Sequence, residues 1–410
     1  MENRPPDIKE YLQLLKDIIA IPSPSFNECE VCNRICCFLD GCTIAYHREG
    51  NNIIALNRYF DPAQKSLMLN AHIDTVPPGE DYSFNPYTPD YAAAAKAIPA
   101  DPAKGNGKAD GHITESGYDF ICGLGSNDDG ASAVSMIAVF RHFYNERLPI
   151  NLILVLSSEE ERSGTNGMER VWLRFPKIIG EAYQKIAPPE NVELYIHDGK
   201  TQTYGYPQWA IVGEPTGMAA ATSERGLLVI DAVAEGVSGH AARNEGVNAI
   251  DIAMEDIAKL HHHVFSKVSS SMGRVNMNVT QIHAGTAHNI IPDRCEFTID
   301  IRPTERYTNK EILDELQGIC KSRLKARNLH NRSSATPPKS LLLDCVRSSG
   351  IETFSSPTTS DWMRINCEAI KMGPGDSSRS HKKDEFVYIS EIENAIGIYV
   401  DFIKRFCSNY

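Results

Sequence analysis

An α/β fold with a mostly parallel central sheet, interrupted by a smaller inserted α+β domain, is what this 410-residue sequence predicts. Three observations predict it. First, very apolar runs stop abruptly at polar clusters in "SLMLNAHID", "NLILVLSSEEE" and "WAIVGEP", as buried parallel strands do. Second, helical patterns alternate with these runs: "DIKEYLQLLKDIIAIPS", "GASAVSMIAVFRHFYNERL" and, at the end, "SEIENAIGIYVDFIKRF". Third, the texture changes after residue 222. "GLLVIDAVAEGV" and "CEFTIDIRP" alternate apolar and polar residues as half-exposed antiparallel strands do, around the long amphipathic helix "GVNAIDIAMEDIAKLHHHVF". A core that begins, is interrupted and resumes predicts one domain over 1–222 and 334–410 and an insert over 223–333, two domains being the natural division of a chain this long.

Composition narrows the function classes. With 42% hydrophobic and 23% charged residues the chain reads as globular, and no apolar stretch approaches a membrane-spanning length. Its start, "MENRPPDIKEYLQLLKDII", is charged and amphipathic and lacks the apolar core of a signal peptide, so the expected location is cytoplasmic. The net charge of -12, with no Lys/Arg cluster, disfavours a nucleic-acid partner and leaves acidic groups available to hold cations. Eleven cysteines without a secretion signal predict free thiols. Cys29, Cys32, Cys36 and Cys37 fall at helical spacing and read as small apolar residues on one buried face, since no second short-spaced couple follows to complete a zinc knot.

Two stretches read as surface insertions: "DYAAAAKAIPADPAKGNGKADGHITESGYD", a loop with one short helical turn, and "RFPKIIGEAYQKIAPPENVELYIHDGKTQTYGYP", a helix plus an excursion. His261, His262 and His263 point about 100° apart on a helix, which suits a solvated helix end better than a shared metal.

The chemistry-bearing residues sit where the apolar runs end. His72 and Asp74 are two apart before Pro-Pro-Gly: either a solvated edge or a metal ligand with the carboxylate that orients it. "GLGSNDDG" brings Asp128 just before a helix, "SSEEERSG" brings Glu159, Glu160 and Glu161, "VGEPT" brings Glu214, and "GPGDSSRSHKKDE" brings His381. Singly, each has an ordinary explanation as a cap, turn or surface group. Together, two histidines and several carboxylates at one edge of one sheet match the ligand needs of two divalent ions.

In this order the residues resemble the zinc-dependent amidohydrolase and metallopeptidase family that includes acetylornithine deacetylase, succinyl-diaminopimelate desuccinylase, aminoacylase and carboxypeptidase G. His72-Ile-Asp74, Gly123-Leu-Gly-Ser-Asn-Asp128, Glu160-Glu161, Glu214-Pro215 and His381 carry the resemblance. "MGPGDSSRSHKKDEF" and "SPTTSDW" resemble the acetylornithine deacetylase-like members most. The resemblance implies a zinc-peptidase catalytic domain with an inserted lid and dimerisation domain. It implies one metal on His72 and Glu214, another on Glu161 and His381, and Asp128 bridging them. Glu160 would be the general base, Asp74 would hold the His72 ring, and Glu159 would be a bystander. A register shift by one residue would make Glu159 the base instead.

"EGVSGHAARNEGVNAI" resembles the family's lid motif and implies that His240 serves the neighbouring subunit's site. "AHNIIPDRCEFTIDIR" likewise gives Asn289 and Arg302, an arginine suited to a substrate α-carboxylate, with Arg379 as a second candidate. The expected function is metal-dependent deacylation of an N-acyl amino acid, N-acetylornithine first, in arginine biosynthesis. The expected cofactors are two Zn²⁺ per chain, with Co²⁺ a substitute, and the expected assembly is a homodimer through the insert, with no nucleic acid and no membrane. The alternatives are a desuccinylase, an acylcitrulline deacylase, an aminoacylase or a dipeptidase with the same machinery, and more remotely a metal-binding scaffold without turnover. The connection around residues 90–117 is longer than is usual in the family.

Overall fold

Adjacent parallel strands at the centre of the main sheet, Asn151–Ser157, Ser66–His72, Trp209–Val212 and Glu368–Lys371, end at one edge in the computed structural model of the chain. Residues 8–104, 117–186, 205–243 and 245–410 are described; the middle of the insertion at 105–116 and the excursion at 187–204 lie outside them. Two antiparallel strands, Asn52–Leu56 and Tyr46–Glu49, extend the sheet beyond Asn151–Ser157, so it is parallel at its centre and antiparallel at this flank. The strand Ser66–His72 is buried along its whole length, which explains its unbroken apolar run.

Side chains alternate across the sheet. Leu67, Leu69 and Ala71 enter one core with the helices Ile8–Ile19, Ala131–Phe143, Leu341–Ser348 and Ile389–Asn409. Met68 enters the other with Met168–Leu173 and Phe175–Tyr183. No described helix is long and apolar enough to cross a membrane. A separate ribbon, Phe120–Cys122 paired with Phe386–Tyr388, packs the aromatic rings of Phe120, Tyr388 and Phe84 with Ala94 and Ile98 of the insertion, whose helical turn is Tyr91–Ala94.

The chain divides into two compact units: 8–222, 336–354 and 360–410, and 223–335 with 355–359. The second unit is a four-stranded antiparallel sheet in the order Asn276–Ala284, Arg294–Arg302, Leu228–Glu235, Arg323–Ala326. Its alternate residues pack on the helices Ala249–His262 and Asn309–Gln317 around Phe297, Ile299 and Leu260. The edge strand Asn276–Ala284 is exposed along most of its length. His261 and His262 are exposed at the end of their helix, while the His263 ring reaches Glu315 at 3.0 Å.

The cysteine reading is corrected in one respect. Cys32 and Cys36 are buried in the helix Cys29–Gly41, but Cys29 and Cys37 are exposed. The buried face is narrower than the spacing implied, because Cys29 opens the helix and Cys37 lies about 100° around from Cys36. The described cysteines are all free thiols.

Candidate metal centre

Three strand ends and two loops bring the candidate ligands together. His72 is the last residue of its strand, Glu160 and Glu161 follow Asn151–Ser157, and Glu214 follows Trp209–Val212. His381 follows Glu368–Lys371 by a longer loop and stands at a φ of 56°. Asp128 corrects the picture of one shared edge: its loop follows the separate ribbon strand Phe120–Cys122 rather than a strand of the central sheet. Two features hold that loop. Gly125 has a φ of 79°, and a Cβ there would meet Thr75 Cγ2 at 2.7 Å. The buried Glu385 carboxylate accepts the N–H groups of Gly125 (3.1 Å), Asn127 (2.8 Å) and Asp128 (2.9 Å).

Donor atoms converge in two groups sharing His72. One joins His72, Glu160 and Glu214, the other His72, Asp128 and Glu161, with the donor atoms of each within 4.8 Å of one another. His72 Nε2 lies 3.1 Å from Asp128 Oδ1, and His381 Nε2 lies 2.8 Å from Glu161 Oε2 and 3.8 Å from Asp128 Oδ2. The Asp128 carboxylate thus stands between the two imidazoles, one oxygen toward each.

Asp74 lies just beyond the strand and does more than face His72. The His72 Nδ1 is 3.0 Å from the Asp74 carbonyl oxygen and 3.4 Å from its carboxylate. That carboxylate accepts the N–H of Glu160 (3.0 Å), the N–H of Glu161 (3.1 Å) and the Ser25 hydroxyl (2.6 Å). It therefore fixes the backbone of the glutamate pair. Glu159, at a φ of 60°, turns its carboxylate to Asn166, accepting from the backbone N–H (2.9 Å) and the side-chain amide (3.0 Å).

The electrostatics are those of an acidic pocket buried at His72 and Asp128, half-buried at the glutamates and open at His381. Burial pushes Glu160 and Glu214 well above the ordinary carboxylate range, and each is raised further by neighbouring carboxylates. Burial also raises Glu161, against the opposing bond from His381. Burial would lower His72, but its bonds to Asp128 and Asp74 outweigh it and the imidazole titrates well above its usual value. His381 is pushed up to about 9, chiefly by its bond to Glu161. A cluster in which carboxylates repel and imidazoles hold protons is short of positive charge. Nitrogen and carboxylate donors this close suit borderline divalent ions such as zinc, so the residues present fit a metal centre.

Around it are residues the motif reading passed over. Asp361, within "SPTTSDW", is buried, accepts the Ser157 hydroxyl, lies 3.5 Å from Asn70 Nδ2 and is raised by burial to about 6. Asp129 accepts the His72 N–H at 3.3 Å and is raised by burial to about 8. Glu385 lay inside a quoted motif, but nothing in its spacing signalled that it holds the Asp128 loop.

The substrate-binding candidates are dispersed. Arg379 is paired with Glu391 through both Nη atoms (2.7 and 3.1 Å) and stacks on Phe386 and Tyr388, so its charge is already balanced within the chain. Arg302 pairs with Asp300 two residues away on its strand, at 2.9 and 3.2 Å, half-exposed. His240 is exposed on a two-residue strand whose partner, Ile290–Ile291, directly follows Asn289; the Ala241 N–H donates to the Asn289 carbonyl at 3.1 Å. His240 and Asn289 are therefore neighbours within the second unit.

Comparison with known proteins adds a family. Residues 222–328 match the family described as the peptidase dimerisation domain. The chain is 28% identical over 221 residues to an acetylornithine deacetylase of Photorhabdus laumondii, a match spanning 49% of this chain and 57% of that protein. It is 23% identical over 363 residues to a succinyl-diaminopimelate desuccinylase of Xanthomonas campestris, spanning 83% of each. In fold it is similar to the YXEP protein of Bacillus subtilis, a dinuclear metal binding peptidase of the M20 family, at a TM-score of 0.63 and 14% identity over 98% of both chains.

Proposed function

We propose that this chain, which fits the M20 family, is a two-metal hydrolase that cleaves the amide bond of an N-acyl amino acid. The convergence of His72, Asp128, Glu160, Glu161 and Glu214 donors within 4.8 Å groups carries this reading. His72 and Glu214 would hold one ion and Glu161 and His381 the other, with Asp128 reaching both. When bound, such a pair supplies Lewis acidity that makes water nucleophilic near neutral pH and polarises the scissile carbonyl.

The chain's own residues do the rest. Glu160 takes the proton of the attacking water on its carboxylate and returns it to the leaving amine nitrogen. Asp74 keeps the Glu160–Glu161 turn in place through two backbone N–H bonds, so that base and ligand share one rigid support. Arg302, exchanging Asp300 for the ligand, would meet the substrate α-carboxylate. His240, with Asn289 beside it, would donate to the developing oxyanion in the neighbouring copy's site. The exposed edge strand Asn276–Ala284 and the exposed Met254 and Ile282 support assembly of two copies through the insert.

N-acetylornithine is the first substrate to try. A second reading, removal of a succinyl group, is favoured by the longer match to the desuccinylase. A panel of N-acetyl and N-succinyl amino acids and dipeptides, given to zinc-reconstituted protein, separates them by kcat/KM. Failure to cleave any amide on the panel, in protein shown to hold metal, would overturn the proposal.

A further inference from the structure

We propose that Glu28 is a positioning residue for Glu160, acting through the backbone of Glu159; the proposal rests on Glu160 being the base. Glu28 is fully buried, and a carboxylate withdrawn from water is costly unless its oxygens are paired. It stands at the N-cap of the helix Cys29–Gly41 but makes no side-chain bond to that helix. Its oxygens go elsewhere. Oε1 accepts the N–H of Phe26 at 2.7 Å and the N–H of Glu159 at 3.2 Å, and Oε2 accepts the Asn51 side-chain amide at 3.1 Å.

Both residues bound by Oε1 are strained. Phe26 has a φ of 78° and Glu159 a φ of 60°, left-handed conformations that residues with a Cβ keep only when their surroundings over-determine them. One buried oxygen ties these two turns together. The Phe26 turn is in turn fastened to the end of the His72 strand. Ser25 N–H donates to the Thr75 carbonyl at 3.2 Å, Thr75 N–H to the Ser23 carbonyl at 2.9 Å, and the Ser25 hydroxyl to Asp74 at 2.6 Å.

Glu159 immediately precedes the base. Its left-handed backbone sets the direction in which the chain leaves the strand Asn151–Ser157 and hence where the Glu160 side chain starts. The glutamate pair is thus gripped from both sides, by Asp74 at the amides of Glu160 and Glu161 and by Glu28 at the amide of Glu159. Without Glu28, Glu159 loses the bond at its own amide and relaxes from its left-handed φ, which shifts the base beside it, while Glu161 keeps its amide bond to Asp74 and its side-chain contact with His381.

The test uses the full chain, reconstituted with zinc, as Glu28→Ala, Glu28→Gln and Glu28→Asp. The substrate is whichever panel compound the wild type cleaves fastest. For Glu28→Ala the expected result is metal content and KM near wild type, with kcat lower by about 10²-fold, the usual cost of a base misplaced by about 1 Å. Amide hydrogen exchange in the segment 158–163 should quicken in the same variant, with or without metal. Glu28→Gln keeps a carbonyl oxygen that accepts both N–H groups, loses only the bond from the Asn51 amide, and should recover part of kcat and of the protection relative to Glu28→Ala. Glu28→Asp is one methylene short of spanning both partners and should behave like Glu28→Ala, which keeps the test decisive if the alanine variant does not fold. Wild-type kcat and exchange in a folded, metal-loaded Ala or Asp variant would overturn the proposal, as would a Gln variant as impaired as the Ala variant. If the wild type cleaves nothing on the panel, the assigned reaction fails, while the exchange measurement still decides whether Glu28 holds the turn.

Discussion

Removing the metals should make the protein's stability fall as pH rises through neutrality. In the metal-free chain Asp129 and Glu385 are buried and both held near pKa 8, burial being the main cause in each. An unfolded chain titrates such carboxyls near 4. Between these values the folded protein binds protons that the unfolded chain has released, so the stability they contribute is greatest at low pH and is lost as pH rises toward 8. His381, raised to about 9, acts in the same direction above its unfolded value near 6.5, as does His72. Each retained proton is worth about 1.4 kcal/mol per pH unit, so Asp129 and Glu385 together remove on the order of 3 kcal/mol between pH 6 and 7. That corresponds to several degrees in Tm. Bound divalent ions favour the charged forms of the carboxylates around them, and the ligands must be deprotonated to bind them, so the gap between loaded and metal-free protein should widen with pH. Calorimetric scans of chelator-treated and zinc-reconstituted protein from about pH 6 to about pH 7.5 measure both curves. A metal-free Tm that stays level or rises across this window would refute the reasoning.

Glu160→Ala should retain metal yet lose turnover by about 10²–10⁴-fold, whereas Glu161→Ala and His381→Ala should each lower metal content. A metal-poor Glu160→Ala beside a metal-loaded, inert Glu159→Ala would shift the register by one residue. Asp74→Ala strips the acceptor from two backbone N–H groups and the Ser25 hydroxyl and should cost on the order of 3–5 kcal/mol in chemical denaturation, with Asp74→Asn losing less. An α-amide analogue of the best substrate should be cleaved far more slowly than the acid, a charge-assisted contact being worth about 1.5–3 kcal/mol; equal rates would remove Arg302 from the site. If His240 serves the neighbouring copy's site, mixing His240→Ala with Glu160→Ala protein after dissociation and reassociation should restore activity, because a mixed dimer would have one site with its own Glu160 and a donated His240. Verified mixed dimers that stay at the parental level would place His240 in its own chain's site or in none.

The sequence by itself determined the alternation of buried strands and helices, the change of texture after residue 222, and the strand ends that bear His72, Glu160, Glu161 and Glu214. These are legible because they are local: an apolar run must stop where its strand leaves the core, and period-2 and period-3.6 patterns record which face is buried. Tertiary structure decided the rest. Asp128 reaches the centre from a ribbon outside the central sheet, held by Glu385 from 257 residues along the chain. Asp74 binds the amides of Glu160 and Glu161, 86 and 87 residues away, as well as facing His72 two residues away. Arg379, a second candidate for the substrate carboxylate by its place in the turn before His381, is paired with Glu391 and packed on two aromatic rings. A carboxylate's partner depends on which backbone amides the fold carries to it, and no spacing along the chain encodes that distance. The ligand types could be read from residue chemistry; the supports that aim them exist only once distant loops have met.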